Sequence, residues 1–303
     1  MLQDFVQPTF LKRGDKVAIT GLASKIDNDV YIKPALELLH QWGVEVVTGQ
    51  SLHEEWFAFA GTDSIRQNDF QTFLDDSSIK AIFSARGGYG SSRYLDKVDF
   101  TRFKNDPKWI IGFSDITAVL SHALTLGIQS IHGPMPKTFF QDETGSSLES
   151  LRKVLFGELT SYQFEPHTLN RVGNADGILF GGNLCLLAHL IGSKSDVDTA
   201  GKILFLEDVD EYHYSVDRLM VQLKRAGKLD QLKGLLIGSF SDMKDNAEDF
   251  GMTPYEIIRH WTQEYDYPIA FGVAIGHEAR NLAMPVGRPV QFGVNENSVE
   301  LKF

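Results

Sequence analysis

Residues 108–124, KWIIGFSDITAVLSHAL, constrain the fold of this chain more than any other stretch. An apolar run, Trp109-Ile110-Ile111, stops at Gly112, and Ser114-Asp115 then open a segment whose apolar residues recur at helical spacing. A strand, a sharp turn and a helix therefore follow one another directly. The same alternation runs through the first half. KVAIT at 16–20 reads as a short buried strand, and Ile32, Ala35, Leu36, Leu38 and Leu39 mark a helix within 30–42 that Gly43 stops. Further strands are expected at 44–47 and 80–83, with helices over 64–74, around Tyr94-Leu95, and over 116–126. This pattern predicts an α/β fold whose parallel sheet is covered on both faces. In such sheets ligands sit beyond the carboxyl ends of the strands, where both the RGGYG loop (86–90) and the GFSD turn (112–115) fall.

A boundary is expected across 155–175, where GELTSYQFEPHTLNRVGNADG is polar, broken by Pro and Gly, and without a clear period. It divides the chain into units at 1–160 and 175–303. The second holds a strand at 177–180 leading into GGNLCLLAHLIGS, the run KILFLEDVDEYHYSVDRL, KGLLIGSF, a helix at 254–261 and short strands at 289–293 and 299–303. A length of 303 residues with 43% hydrophobic and 23% charged residues suits a folded protein with a sizeable core. The net charge of -11 argues against a nucleic-acid partner, which needs clustered Lys and Arg. The lone Cys185 leaves no disulfide framework and no multi-cysteine metal site. MLQDFVQPTFLKRGD lacks the layout of a signal peptide, and no apolar run approaches the ~18 residues of a membrane span. A cytoplasmic location is the expectation.

The turn places one hydroxyl, that of Ser114, and the free N–H groups of a helix start at a sheet edge, where an acyl carbonyl could meet both. The ordinary role of such a serine is to cap its own helix. The preceding Gly112 and the strand-to-turn position favour a nucleophile, although the sequence is not GxSxG. A nucleophilic serine needs a base, and the base needs an orienting acid. His277, in AIGHEARNLAMPVG, and His132, in SIHGPM, both stand in loops before or after glycine, and spacing leaves the choice open. His189, inside an apolar helix, reads as a core residue; His40, His122 and His260 read as structural. Glu207 ends the apolar run Ile203–Leu206, at the mouth of a strand, where a carboxylate could hold an imidazole. Asp208, Asp210 and Glu211 follow it, and the sequence does not show whether Glu207 or Glu211 reaches the histidine. Their spacing lacks the Asp/Asn-with-Gly pattern of a calcium loop, so no metal is expected. The loop Arg86-Gly87-Gly88-Tyr89-Gly90 allows close backbone approach to a ligand. An N–H from Gly87 or Gly88 could complete an oxyanion hole with that of Asp115, and Arg86 could clamp a carboxylate.

SARGGYGSSRYLD, IIGFSDITAVL, IHGPM, GGNLCLLAHLIG, ILFLEDVDEYHYSVDRL and GHEARNLAMPVG occur in the order found in the LD-carboxypeptidase family, which also holds the microcin C self-immunity peptidases, and over nearly its whole length the chain resembles that family. The resemblance implies a Ser–Glu–His triad carried onto Ser114, Glu207 and His277, and so favours His277 over His132. It implies an oxyanion hole from the Asp115 and Gly88 amides. It also implies a flavodoxin-like parallel-sheet first domain and a smaller α/β swivelling-type second domain that supplies Glu207 and His277 across a cleft. Homodimers without metal or other cofactor are expected, removing the terminal D-Ala from murein tetrapeptides in cell-wall recycling. Arg86, Gly87 and Asn183 are the expected substrate contacts. Two other readings are a microcin C-type peptidase with Trp56 or Tyr89 stacking a base, and a noncatalytic murein-peptide sensor. The chain departs from the family's common residues at Phe113, Cys185 and Glu278-Ala279, none of them in the triad.

Overall fold

The computed structural model describes residues 5–303 and contains two sheets. Five parallel strands form the first: β1 (Lys16–Thr20), β2 (Glu45–Thr48), β3 (Ile79–Ser84), β4 (Trp109–Gly112) and β5 (Ser130–His132). Their connections carry α1 (Lys33–Gln41), α2 (Asp63–Asp75), α3 (Thr101–Asn105) and α4 (Thr117–Thr125). Buried apolar residues occupy every position of β4, as expected for a parallel strand covered on both faces. The chain then passes through α5 (Ser146–Leu155) into β6 (Ser161–Phe164).

The second sheet is mixed. The strands β7 (Gly173–Asn183), β8 (Lys202–Val209), β9 (Gly234–Ser241) and β10 (Ile269–Phe271) run parallel, joined by α6 (Leu184–Leu190), α7 (His213–Arg225) and α8 (Pro254–Trp261). Next along the chain, β11 (Met284–Val286) leaves this sheet and pairs antiparallel with β5 at the edge of the first. The antiparallel strands β12 (Pro289–Val294) and β13 (Val299–Lys302) then complete the second sheet, with β6 at its edge.

Two features depart from the sequence expectation. The aperiodic stretch 155–175 contains a paired strand, β6, whose alternating exposure leaves no apolar run to read. AMPVG, read as loop, supplies β11, a three-residue strand too short to show a period. The α/β alternation itself holds. The two cores meet through their helices: Leu190 of α6 joins the apolar cluster under the first sheet, and Leu124 of α4 joins that of the second.

A polar hub ties α5 to the segment before β11. Buried Asp142 accepts from Thr144 (N and Oγ1), Ser146 Oγ and Ser147 (N and Oγ), at 2.6–2.9 Å. Ser147 Oγ in turn accepts from Asn281 N, Ser150 Oγ accepts from Ala283 N, and Asn281 Oδ1 accepts from Gly276 N. Burial opposes the Asp142 carboxylate, but the hydrogen bonds from Thr144, Ser147 and Ser146 win and hold it well below the usual carboxylate range. A depressed folded-state pKa stabilises the fold above the unfolded value of about 3.9, and that contribution is lost as pH falls through the folded one. Asp142→Ala is expected to cost about 2–4 kcal/mol at neutral pH, measured by denaturant unfolding, because it also orphans a helix start. The deficit should shrink in acid. An unchanged midpoint at pH 7 would remove Asp142 from this role.

Candidate active site

Ser114 closes the tight connection between β4 and α4. Its φ is +62°, a left-handed conformation that an L-residue other than Gly, Asn or Asp seldom takes. Strain of this kind at a strand-to-helix turn pushes a side chain up from the sheet edge. Gly87 lies against it: a β-carbon built on Gly87 would come within 2.7 Å of Ser114 Cβ, so the RGGYG loop can approach only because it carries no side chain there. The next residue fixes that loop from below. Buried Asp115 accepts from Gly90 N (3.3 Å) and Ser91 N (2.9 Å), and its carbonyl accepts from Ser91 Oγ. Burial pushes the Asp115 carboxyl up; the Ser91 and Gly90 donors offset part of that. Among the described residues, neither the Gly88 nor the Asp115 backbone N–H has a protein acceptor.

From the second sheet, the end of β8 presents Glu207 and a loop after β10 presents His277. Glu207 is fully buried, and its Oε2 accepts from His277 Nδ1 at 2.7 Å. That bond puts the Nδ1 proton toward the carboxylate and leaves Nε2 as the acceptor nitrogen. The loop grips the pair closely. His277 N donates to Ser239 Oγ at 3.0 Å, and a β-carbon on Gly276 (φ +121°) would stand 2.9 Å from Glu207 Oε2. Burial alone would lower the His277 pKa, but the charge and hydrogen bond of Glu207, with help from Asp208 and Asp242, raise it above 6.5.

Ser114 and His277 open into one cavity of about 510 Å³. Arg86, Gly87, Gly88, Phe113, Lys137 and Asp242 are among its walls. The Phe113 ring meets the His277 ring edge-on, with centroids 4.9 Å apart. The structure thus brings Ser114, His277, Arg86, Gly87 and Gly88 to one cavity, with Glu207 directly behind His277. Glu211 does not reach the histidine; its carbonyl accepts from Lys244 N.

Other expected residues lie elsewhere. His132 is fully buried against Phe113 and Phe205 outside the cavity, and burial pushes its pKa down to about 4 despite the opposing charge of Glu207. The Asp115 side chain is turned under the 86–91 loop rather than into the cavity, and only its backbone N–H is left without a protein acceptor among the described residues. Asn183, expected to contact substrate, does not line this cavity. It is buried, its Nδ2 donates to Asp208 Oδ1 at 2.7 Å, and its Oδ1 accepts from Leu186 N as the cap of α6. Held there beside Glu207, the Asp208 carboxyl is pushed up to about 7 by burial and its neighbour's charge. His189 also differs, standing exposed on the outer side of α6 rather than in the core. Sequence reasoning missed Lys137, a single lysine after Met-Pro with no pattern around it, and Ser239, whose role appears only once β9 lies beside β8.

Two sequence profiles match the chain in order: the LD-carboxypeptidase N-terminal domain over residues 17–133 and the LD-carboxypeptidase C-terminal domain over 176–292. A putative carboxypeptidase of Synechocystis sp. is 33% identical over 287 residues, covering 94% of this chain and 93% of the relative. A murein tetrapeptide carboxypeptidase of Pseudomonas aeruginosa is 32% identical over 289 residues, covering 90% and 91%. Among solved structures, muramoyltetrapeptide carboxypeptidase from Oxalobacter formigenes superposes with a TM-score of 0.86 at 27% identity, over 94% of this chain and 97% of the other. The microcin C7 self-immunity protein MccF, at 22% identity and a TM-score of 0.84, shares the fold. No helix among the described residues is long and apolar enough to cross a membrane. With both of the family's domains matched in order and the likeness running nearly end to end, this chain belongs to the LD-carboxypeptidase family.

Proposed function

We propose that this chain is a serine carboxypeptidase that hydrolyses the bond before the C-terminal D-alanine of murein tetrapeptides. The observation that carries the reading is the strained, half-buried Ser114 opening into the same cavity as His277, whose Nδ1 is bonded to buried Glu207. Ser114 Oγ attacks the carbonyl carbon as its proton passes to His277 Nε2. The N–H groups of Gly88 and Asp115 stabilise the oxyanion that forms. The C–N bond breaks as His277 returns the proton to the leaving amine. Water then attacks the acyl ester, again giving its proton to His277, and Ser114 is restored.

Glu207 keeps the imidazole in the tautomer this sequence requires and stabilises its charged form. In this reading residues 1–160 form the unit that carries the nucleophile, and 175–303 form the unit that carries its base and acid. The names of the Pseudomonas and Oxalobacter proteins support murein tetrapeptide as the substrate. The aromatic stacking expected of a microcin-type site finds less support: Trp56 stacks on Phe59 of its own loop, and neither Trp56 nor Tyr89 lines the cavity.

The test is release of D-alanine from purified murein tetrapeptide, followed by coupled amino-acid detection. Stoichiometric release is expected, and none at micromolar enzyme over hours would overturn the substrate assignment.

A further inference from the structure

The catalytic cavity contains a second cation that the triad does not use. Lys137 lies in the short turn Pro136–Thr138, and its backbone N–H bonds Ala85 O at 3.1 Å, which fixes that turn beside Arg86. Both side chains line the cavity that holds Ser114 and His277, and both also line an adjoining cavity of about 650 Å³. They stand on the wall shared by the two.

Neither cation is neutralised. Among the described residues, no carboxylate oxygen comes within 4.0 Å of Arg86 or Lys137. Most of the acids around the two cavities are engaged elsewhere: Glu55 pairs with Lys25, Asp29 with Lys33 and Asp210 with Lys244, Glu54 accepts from Gln50, and Asp27 caps backbone amides at 29 and 30, while Asp242, on the wall of the catalytic cavity, forms no ion pair with either cation. Arg86 gives one N–H to Lys25 O at 3.0 Å, and its buried Nε has no protein partner. Burial disfavours the charged form of each side chain, and for Lys137 the Arg86 charge adds to that. Two partly desolvated like charges with no carboxylate partner, side by side next to a nucleophile, are a standing electrostatic cost. An anion seated between them removes that cost.

We infer that Lys137 and Arg86 together form the carboxylate subsite of this enzyme, gripping the C-terminal carboxylate of the peptide and so restricting cleavage to the last bond. The inference rests on the peptidase reading above and adds the reason such a site would cut only at a chain end. Arg86 supplies directed N–H donors, and Lys137 a point charge that tolerates a range of carboxylate positions. Specificity then comes from the cost of leaving two partly buried cations unpaired when the terminus is neutral.

The experiment compares kcat and KM for a murein tetrapeptide with a free C-terminal carboxylate and for the same peptide as its C-terminal amide. The wild-type chain should prefer the acid by a factor of roughly a hundred or more. In Lys137→Met, which severs no side-chain hydrogen bond of the fold, the KM for the acid should rise roughly 10–100-fold, with a smaller change in kcat. Its preference for acid over amide should fall by a similar factor. Lys137→Arg, which keeps the charge, should recover most of the preference. Equal discrimination in the wild type and Lys137→Met, with the acid still cleaved, would overturn the subsite and leave the peptidase reading intact. Failure of the wild type to cleave either peptide would overturn both.

Discussion

Replacing Ser114 by alanine is expected to lower kcat on murein tetrapeptide by roughly four to six orders of magnitude without loss of the fold. The size follows from the role. Without Oγ no acyl-enzyme forms, and His277 can at most activate water held in the same cavity. What survives is the contribution of the oxyanion donors and of binding. The fold should tolerate the change because the Ser114 side chain makes no hydrogen bond that holds α4 or β4 in place. Its backbone is another matter. A residue other than glycine at φ +62° carries a conformational cost on the order of 1–2 kcal/mol, and alanine keeps that cost while Ser114→Gly removes it. The two variants should therefore be equally inactive, with the glycine variant showing the higher thermal midpoint. Single-turnover kinetics and a thermal melt on the same preparations decide it. Alanine retaining more than a few per cent of wild-type kcat would end the nucleophile assignment, whereas identical midpoints would remove only the strain argument.

The parts of this site that were legible in the sequence are those in which one residue's neighbours along the chain fix its surroundings. Ser114 stood out because Trp109–Gly112 could only be a buried strand end, and Glu207 because Ile203–Leu206 delivers it to the mouth of another. Local pattern could not go further. Residue spacing favoured His277 only slightly over His132 and left the choice open, since both sit in a loop next to a glycine. Three-dimensional placement separates them: β5 carries His132 into the wedge between Phe113 and Phe205, while the loop after β10 folds back over Glu207. Asn183, expected as a substrate contact, is placed by the third dimension instead: Asp208 and the start of α6 take up its side chain and turn it inward. Lys137 and β11 were invisible because a lone lysine and a three-residue strand carry no period at all. The alternation of strands and helices carried the fold class; the pairing of distant loops carried the site.

Glu207→Gln should lower kcat/KM by roughly two to four orders of magnitude and move its pH dependence. The base must be neutral to accept the serine proton, so kcat/KM rises with pH through the His277 pKa. In the wild type that pKa lies above 6.5, because the Glu207 charge and hydrogen bond outweigh the burial that would depress it. Glutamine preserves the shape and removes the charge. Burial then prevails over the weaker contributions of Asp208 and Asp242, and the acidic limb should shift to lower pH. Activity falls even though more of the histidine is neutral, because the imidazolium formed during attack has lost its counter-charge. Stability should respond with a definite sign. A histidine whose folded pKa is raised stabilises the fold fully below its unfolded value near 6.5, and that contribution is lost as pH rises through the folded value. The deficit of Glu207→Gln should therefore be greatest in mild acid. Asp208 acts in the same direction. Burial and the Glu207 charge hold its carboxyl up near 7, so in the wild type its ionisation weakens the fold between its unfolded value and about pH 7. Removing the neighbouring charge eases that penalty, and the variant should close the gap on the wild type as pH rises. Profiles of kcat/KM and unfolding midpoints between pH 5 and 9, a window chosen on either side of the free histidine value of about 6.5, give both readouts. An acidic limb at the same pH in wild type and variant would mean that Glu207 does not set the basicity of His277.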